Sequence, residues 1–131
     1  MRAFDVAAVA LAMRVDRKLL DNVLSRHVVR GAAKGRQGIS RRITPEAVVT
    51  LAITLDLMSA LSLTAAAAIA LAERVIDAPQ GELRLTDDMT LRVNLERTTR
   101  EVAERLRAVG ESVVPRRRGR PPRAGRFIEL P

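Results

Sequence analysis

The chain has 131 residues, of which 47% are hydrophobic and 29% charged, so we expect one domain with a packed core and a modest appendage. It has no cysteine and one histidine, which excludes disulfide scaffolds, thiolate nucleophiles and cysteine- or histidine-rich metal sites. No phosphate loop or paired catalytic acids are present, so we expect no enzyme, no cofactor and no metal. Two of the 23 basic residues are lysine, leaving 21 arginines, and the net charge of +8 points to a polyanionic partner.

The positive charge is confined to the two ends of the chain. Residues 1–44 hold ten basic and three acidic side chains, a net charge of +7. Residues 45–110 hold seven basic and ten acidic side chains, a net charge of −3, and residues 111–131 carry +4. This layout suits a protein whose ends touch a phosphate backbone while its middle packs or pairs with another subunit. A basic surface that is merely solvated is the alternative.

Two short helices are predicted near the start of the chain, over residues 4–13 and from Asp16 to near His27. Asp5 and Asp16 are suitable N-caps, and apolar residues follow each at helical spacing. The apolar stripe of the second helix contains Leu19, Leu20, Val23 and Leu24. Its opposite face carries Arg17, Lys18, Asp21, Asn22 and Arg26. The tight link at residues 14–16 makes a helix-turn-helix, in which the second helix can enter a DNA major groove.

A basic hairpin is predicted over residues 28–43, where three glycines lie among five basic side chains with apolar residues on both sides. Thr44-Pro45-Glu46 then starts a third helix. Residues 47–72 carry one charge, Asp56, and are long enough to span a bilayer. We predict two buried helices instead, because Ser62-Leu63-Thr64 supplies a break and Asp56 is costly in a membrane.

The last predicted elements are a small hairpin and a helix. Alternating residues over 82–93 predict the hairpin, with its turn at Asp87-Asp88. Asn94 caps a helix from Leu95 to Val109, which Gly110 should terminate. The apolar seam of this helix consists of Leu95, Val102, Leu106 and Val109. The seam predicts either a dimer interface or packing on the protein's own core, and we expect a homodimer because helix-turn-helix proteins commonly bind paired half-sites.

The order of these elements resembles the winged helix-turn-helix of the MerR-type regulators and related phage excisionases. The resemblance rests on Val15-Asp16-Arg17-Lys18-Leu19-Leu20, which matches the valine and polar cap before the family's recognition helix. It also rests on residues 41–48, where Arg41 stands three residues before the cap Thr44, as the arginine ending the wing does in the family. It covers about the first 75 residues.

The chain departs from the family pattern at several positions. Arg14 stands where the family usually has glycine, and Asn22 and Val23 stand where it favours an aromatic residue. Ser40 and Ile43 replace the tyrosines of the wing, and the cysteines of the metal-sensing members are missing. The resemblance therefore implies DNA binding but neither metal sensing nor a large effector pocket.

A second resemblance lies in the tail, where Arg118-Gly119-Arg120-Pro121 is similar to the core of an AT-hook. Glycine allows the backbone to approach the floor of the groove, and the prolines keep the segment extended. A narrow A-tract minor groove attracts inserted arginines, so we expect Arg118 and Arg120 to bind there on either side of Gly119. A chance match in an arginine-rich chain is the alternative, and the tail would then add phosphate contacts only.

These observations predict a mainly α protein with small β-hairpins, divided into a winged helix-turn-helix (1–75), a hairpin with a dimerisation helix (76–110) and a disordered basic tail (111–131). We expect a sequence-preferring double-stranded DNA-binding protein, a bacterial transcriptional regulator that is cytoplasmic and associated with the nucleoid. Arg17, Lys18 and Asn22 should contact bases. The phosphate contacts should come from Arg26, Arg30, Lys34, Arg36, Arg41 and Arg42.

Two alternatives remain open from the sequence. An architectural or excisionase-like protein that bends DNA with weak sequence preference would use the same basic ends. An interaction protein, such as an antitoxin or adaptor, would instead hold a partner with the seam and the helical middle, and its basic ends would be incidental.

Overall fold

The structure, a computed structural model, describes residues 3–33 and 41–112. In these ranges the chain forms α1 (Val6–Met13), α2 (Arg17–Arg26), β1 (Ala32–Ala33), β2 (Arg42–Ile43), α3 (Pro45–Leu61), α4 (Ala65–Asp77), β3 (Glu82–Thr86), β4 (Met89–Arg92) and α5 (Leu95–Ser112). The prediction of a mainly helical protein with small antiparallel hairpins is confirmed. The tip of the first predicted hairpin, with Lys34 and Arg36, and the tail with Arg118, Gly119 and Arg120 lie outside the described residues.

Both predicted N-caps begin the first two helices. The carboxylate of Asp5 accepts a hydrogen bond from the Ala8 amide at 2.8 Å, and that of Asp16 accepts from the Lys18 amide at 3.0 Å. Arg14 ends α1 in the left-handed region at φ 58°, and this turns the chain toward α2. Leu19 was expected in the buried stripe but is 39% exposed, because it lies at the edge of the face formed by Leu20, Val23 and Leu24.

The first hairpin is tied to the beginning of the chain. Ala32 pairs with Ile43 and Ala33 with Arg42. On the other side of β2, Phe4 forms an isolated antiparallel bridge with Ile43. The backbone amides of Phe4 and Ile43 each donate to the carbonyl of the other at 2.8 Å. Since Ile43 is also fully buried, the base of the hairpin is anchored in the core by both its backbone and its side chain.

The long apolar stretch forms two helices, as predicted. Thr44 caps α3 through the Ala47 amide, and Thr64 caps α4 through the Ala67 amide, each at 3.2 Å. Ser62 lies between them in the left-handed region at φ 57°. Asp56 is exposed on α3. Within residues 3–33 and 41–112, no helix is both long and apolar enough to cross a bilayer.

Two clusters of buried side chains hold the fold together. The first joins α1, α2, α3 and α5 around fully buried residues that include Val9, Leu20 and Leu51. The second lies between α3 and α4 and is covered by Leu83 and Leu91 of the β3–β4 hairpin. Because α5 contributes Val102 and Leu106 to the first cluster, residues beyond 75 share the core of the residues before them.

The prediction that Gly110 terminates the last helix is wrong, since α5 continues to Ser112. Asn94 does cap this helix, because its side-chain oxygen accepts from the Arg97 amide at 2.9 Å. A glycine ends a helix when it adopts the left-handed conformation, and Gly110 has no positive φ. Gly110 therefore lowers the stability of α5 by about 1 kcal/mol relative to alanine, but it does not end the helix.

Candidate nucleic-acid interface

The exposed face of α2 carries the three side chains predicted to contact bases. Arg17, Lys18 and Asn22 are exposed, whereas Leu20, Val23 and Leu24 on the opposite face are buried. The helix is thus held by its apolar face and presents two cations and an amide to solvent. These groups can form hydrogen bonds with guanine and adenine edges, respectively.

The polar groups of this face are available to a ligand. The Nε atom of Arg17 lies 3.9 Å from an Asp21 oxygen, and both side chains are well exposed, so the pair contributes at most about 1 kcal/mol. Within the part of the chain that the structure describes, the side chains of Lys18 and Asn22 have no hydrogen-bond or ion-pair partner. A ligand that binds this face therefore displaces water and breaks one weak ion pair.

Two of the predicted phosphate-binding arginines are free for that role. Arg26 stands in the last turn of α2, and Arg42 begins β2 opposite Ala33. Both side chains are exposed and unpaired among the described residues. Next to Arg42, the small residues Ala32 and Ala33 line an open depression that allows another chain to approach closely. The hairpin base thus offers a cation at an accessible surface.

Arg41, also predicted to bind phosphate, contacts α2. One terminal nitrogen donates to the hydroxyl of Ser25 at 2.9 Å, and the other donates to the carbonyl oxygen of Leu24 at 3.4 Å. That carbonyl lies in the last turn of α2, where backbone acceptors have no partner within the helix. The guanidinium therefore joins the base of the hairpin to the C-terminal end of α2.

Arg30, the remaining described arginine of this group, contacts α4. Its terminal nitrogen lies 3.1 Å from an Asp77 oxygen, its Nε lies 4.0 Å from Glu73, and its backbone amide donates to Glu73 at 3.4 Å. Neither acid stands out in the sequence as part of a site. Their separation of four residues on one helix was the available signal, but nothing local connected them with an arginine 43 residues earlier.

A glycine makes the junction between β1 and α3 compact. Gly31 has φ +86°, and a Cβ atom there would overlap the Thr44 hydroxyl that caps α3. The carbonyl of Gly31 also accepts a hydrogen bond from the Thr44 amide at 3.0 Å. The start of the hairpin and the start of α3 are therefore in direct contact.

The predicted dimerisation seam is already covered within a single chain. Val102 and Leu106 are 7% and 4% exposed and belong to the core shared with α1 and α3. Val109 packs on the same cluster, and Leu95 packs on the second cluster. Of the two interpretations that the sequence left open for these four residues, the structure favours packing on the protein's own core.

The described residues contain no group of three or more acidic, histidine or cysteine side chains that could hold a metal ion. The face formed by α2 and the hairpin base carries arginine, lysine and amide groups. No protein-family model matches the chain, and no curated protein or solved structure is significantly similar to it.

Proposed function

We propose that the protein binds double-stranded DNA as a winged helix-turn-helix, with α2 in the major groove and the first hairpin beside it as the wing. The observation that supports this most strongly is the exposed polar face of α2 together with a basic hairpin whose base is hydrogen-bonded to the same helix. To read a sequence, the helix in the major groove and the wing along the DNA backbone must hold a fixed position relative to each other.

In this proposal the α2 side chains read bases. Arg17 and Lys18 bind guanine, and Asn22 binds adenine through paired hydrogen bonds. A good bidentate contact discriminates against the wrong base by about 1–3 kcal/mol. The ion pair of Arg17 with Asp21 is too weak to prevent this, because both partners are well exposed.

Arg26 and Arg42 bind phosphates in the proposed complex and set the register of α2. The sequence adds Lys34 and Arg36 to this group, and it adds the tail segment around Arg118, Gly119 and Arg120 as a minor-groove contact. The proposed role is transcriptional regulation at the bacterial nucleoid. A dimer on paired half-sites would need a surface other than Val102 and Leu106, which are buried in the chain.

Selection of bound duplexes from a random DNA pool tests the proposal, using the full chain and a truncation after Val114. We expect one enriched motif for both proteins, and an inverted repeat in it would indicate a dimer. Loss of the tail should weaken binding and reduce its salt dependence while the selected motif survives, because the arginines of the tail add electrostatic affinity whereas the side chains of α2 read the bases.

Other outcomes would replace the proposal. Tight binding without an enriched motif would indicate an architectural protein with weak sequence preference. No binding even at low salt, together with a co-purifying protein, would indicate an interaction protein.

A further inference from the structure

The base of the first hairpin is attached to the rest of the protein on two sides. Arg41, just before β2, reaches the C-terminal end of α2, and Arg30, just before β1, reaches α4. Two cations at the base of a basic hairpin are thus directed at protein atoms. Arg42, their neighbour on β2, is exposed and unpaired among the described residues. The three arginines therefore stand in different surroundings, although they look equivalent in the sequence.

The surroundings of Arg41 suit an internal contact. Its side chain is half-buried, and its two terminal nitrogens bind two different acceptors, the Ser25 hydroxyl and the Leu24 carbonyl. A cation is also favourable at the negative end of a helix dipole, which α2 presents here. The two acceptors are bound by two separate nitrogens of a rigid planar group, and the single ammonium nitrogen of lysine does not reproduce this geometry.

Arg30 makes the corresponding contact on the other side of the hairpin. Its guanidinium is near two acids one turn apart on α4, and its backbone amide binds one of them. The pair with Asp77 is exposed and weak by itself, and the pair with Glu73 is long, at 4.0 Å. The backbone hydrogen bond adds a restraint on the main chain at the start of the hairpin, next to Gly31.

We infer that Arg41 and Arg30 are positioning residues, which fix the hairpin at a defined place relative to α2 and do not bind phosphate. This inference rests on the proposed function, since its consequence is the geometry with which α2 and the hairpin meet a duplex. At the base of the hairpin, Arg42 is then the arginine that binds phosphate.

Substitutions at Arg41 and Ser25 test the Arg41 contact through affinity for the selected duplex. Arg41→Lys keeps the charge but loses the fork, so both Arg41→Lys and Arg41→Gln should weaken binding about tenfold. Ser25→Ala changes no charge and should weaken binding several-fold. Combined with Arg41→Lys, it should add little, because both remove one interaction.

Arg42, the next residue along the chain, provides the matched control for Arg41. Arg42→Gln should weaken binding and reduce the slope of log affinity against log salt by about 0.9, whereas Arg42→Lys should retain most of both. The inference is overturned if Arg41 follows this pattern, with Arg41→Lys and Ser25→Ala both binding like the wild type. Thermal melts of every variant identify any loss of affinity that comes from unfolding.

The acids of α4 test the Arg30 contact, because the two interpretations predict opposite signs. If Arg30 positions the hairpin, the double variant Glu73→Gln, Asp77→Asn should bind several-fold more weakly despite its greater positive charge. If Arg30 binds phosphate, removing its protein partners should tighten binding. Asp87→Asn with Asp88→Asn, in the β3–β4 turn, neutralises two acids elsewhere and measures the effect of net charge alone.

These outcomes are separate from a failure of the proposed function. If the wild-type chain does not bind duplex DNA at low salt, the proposed function fails, and the positioning inference fails with it. If the wild type binds and the Arg41 and Arg30 tests give the phosphate pattern, the positioning inference fails and DNA binding stands.

Discussion

Single residues in the left-handed region define the turns between the helices. Arg14 and Ser62 take this conformation after α1 and α3, with φ of 58° and 57°. Arg14 is the position at which the resembling family has glycine, so the chain departs there in residue type while adopting the conformation that glycine favours. A non-glycine residue in this region costs about 1–2 kcal/mol. The conformations of Arg14 and Ser62 therefore lower the free energy of unfolding.

Glycine at Ser62 should stabilise the fold. Ser62→Gly relieves the cost of the left-handed conformation, and we expect the free energy of unfolding to rise by about 0.5–1 kcal/mol. The measurement is urea denaturation followed by circular dichroism. Ala70→Gly, at an exposed position inside α4, should lower the free energy of unfolding by about 1 kcal/mol. A loss of stability in both variants would contradict the role assigned to Ser62.

Alanine at Gly31 should have the opposite effect. A Cβ atom there meets the Thr44 hydroxyl, and φ is +86°, so Gly31→Ala should destabilise the protein by about 1–3 kcal/mol. Gly110→Ala is the matched control, because Gly110 lies inside α5 and alanine there should stabilise by up to about 1 kcal/mol. Equal denaturation midpoints for Gly31→Ala and the wild type would show that the junction between the hairpin and α3 is not compact.

The starts of the helices were predictable because their signals are local. Asp5, Asp16, Thr44, Thr64 and Asn94 each cap the helix that follows, through amides two or three residues away. The surface covered by α5 was not predictable, since an apolar seam fits another subunit as well as the chain's own core. That choice depends on α1 and α3, which are distant in the sequence.

Truncation of Leu106 tests the packing of α5. Leu106→Ala should lower the free energy of unfolding by about 2–5 kcal/mol, as expected for a leucine in a packed core. Any dependence of the melting temperature on protein concentration should be the same in the variant and the wild type, because the side chain is buried within one chain. Arg107→Ala, on the exposed side of α5, should stay within about 0.5 kcal/mol. A melting temperature that rises with concentration in the wild type but not in Leu106→Ala would instead place the seam in a dimer.

At the scale of the whole molecule, the basic first part of the chain and the acidic middle interact directly. Glu73 and Asp77 of the acidic middle bind Arg30 of the basic first part, so net charge by segment does not tell which cations are free for DNA. The sequence could predict the exposed face of α2 from helical periodicity. It could not distinguish Arg30 and Arg41 from Arg42, because their partners come from other elements.

The central proposal is that α2 and the first hairpin together bind a duplex with sequence preference. The most direct test measures the affinity of the full chain for its selected duplex and for a scrambled duplex of equal length, over a series of salt concentrations. Asn22→Ala, which changes no charge, is measured beside the wild type.

We predict that the selected duplex binds at least about a thousandfold more tightly than the scrambled one at physiological salt. Asn22→Ala should lose about 1–3 kcal/mol on the selected duplex only, with an unchanged salt slope. Equal affinities for both duplexes at every salt concentration, with no effect of Asn22→Ala, would contradict the claim.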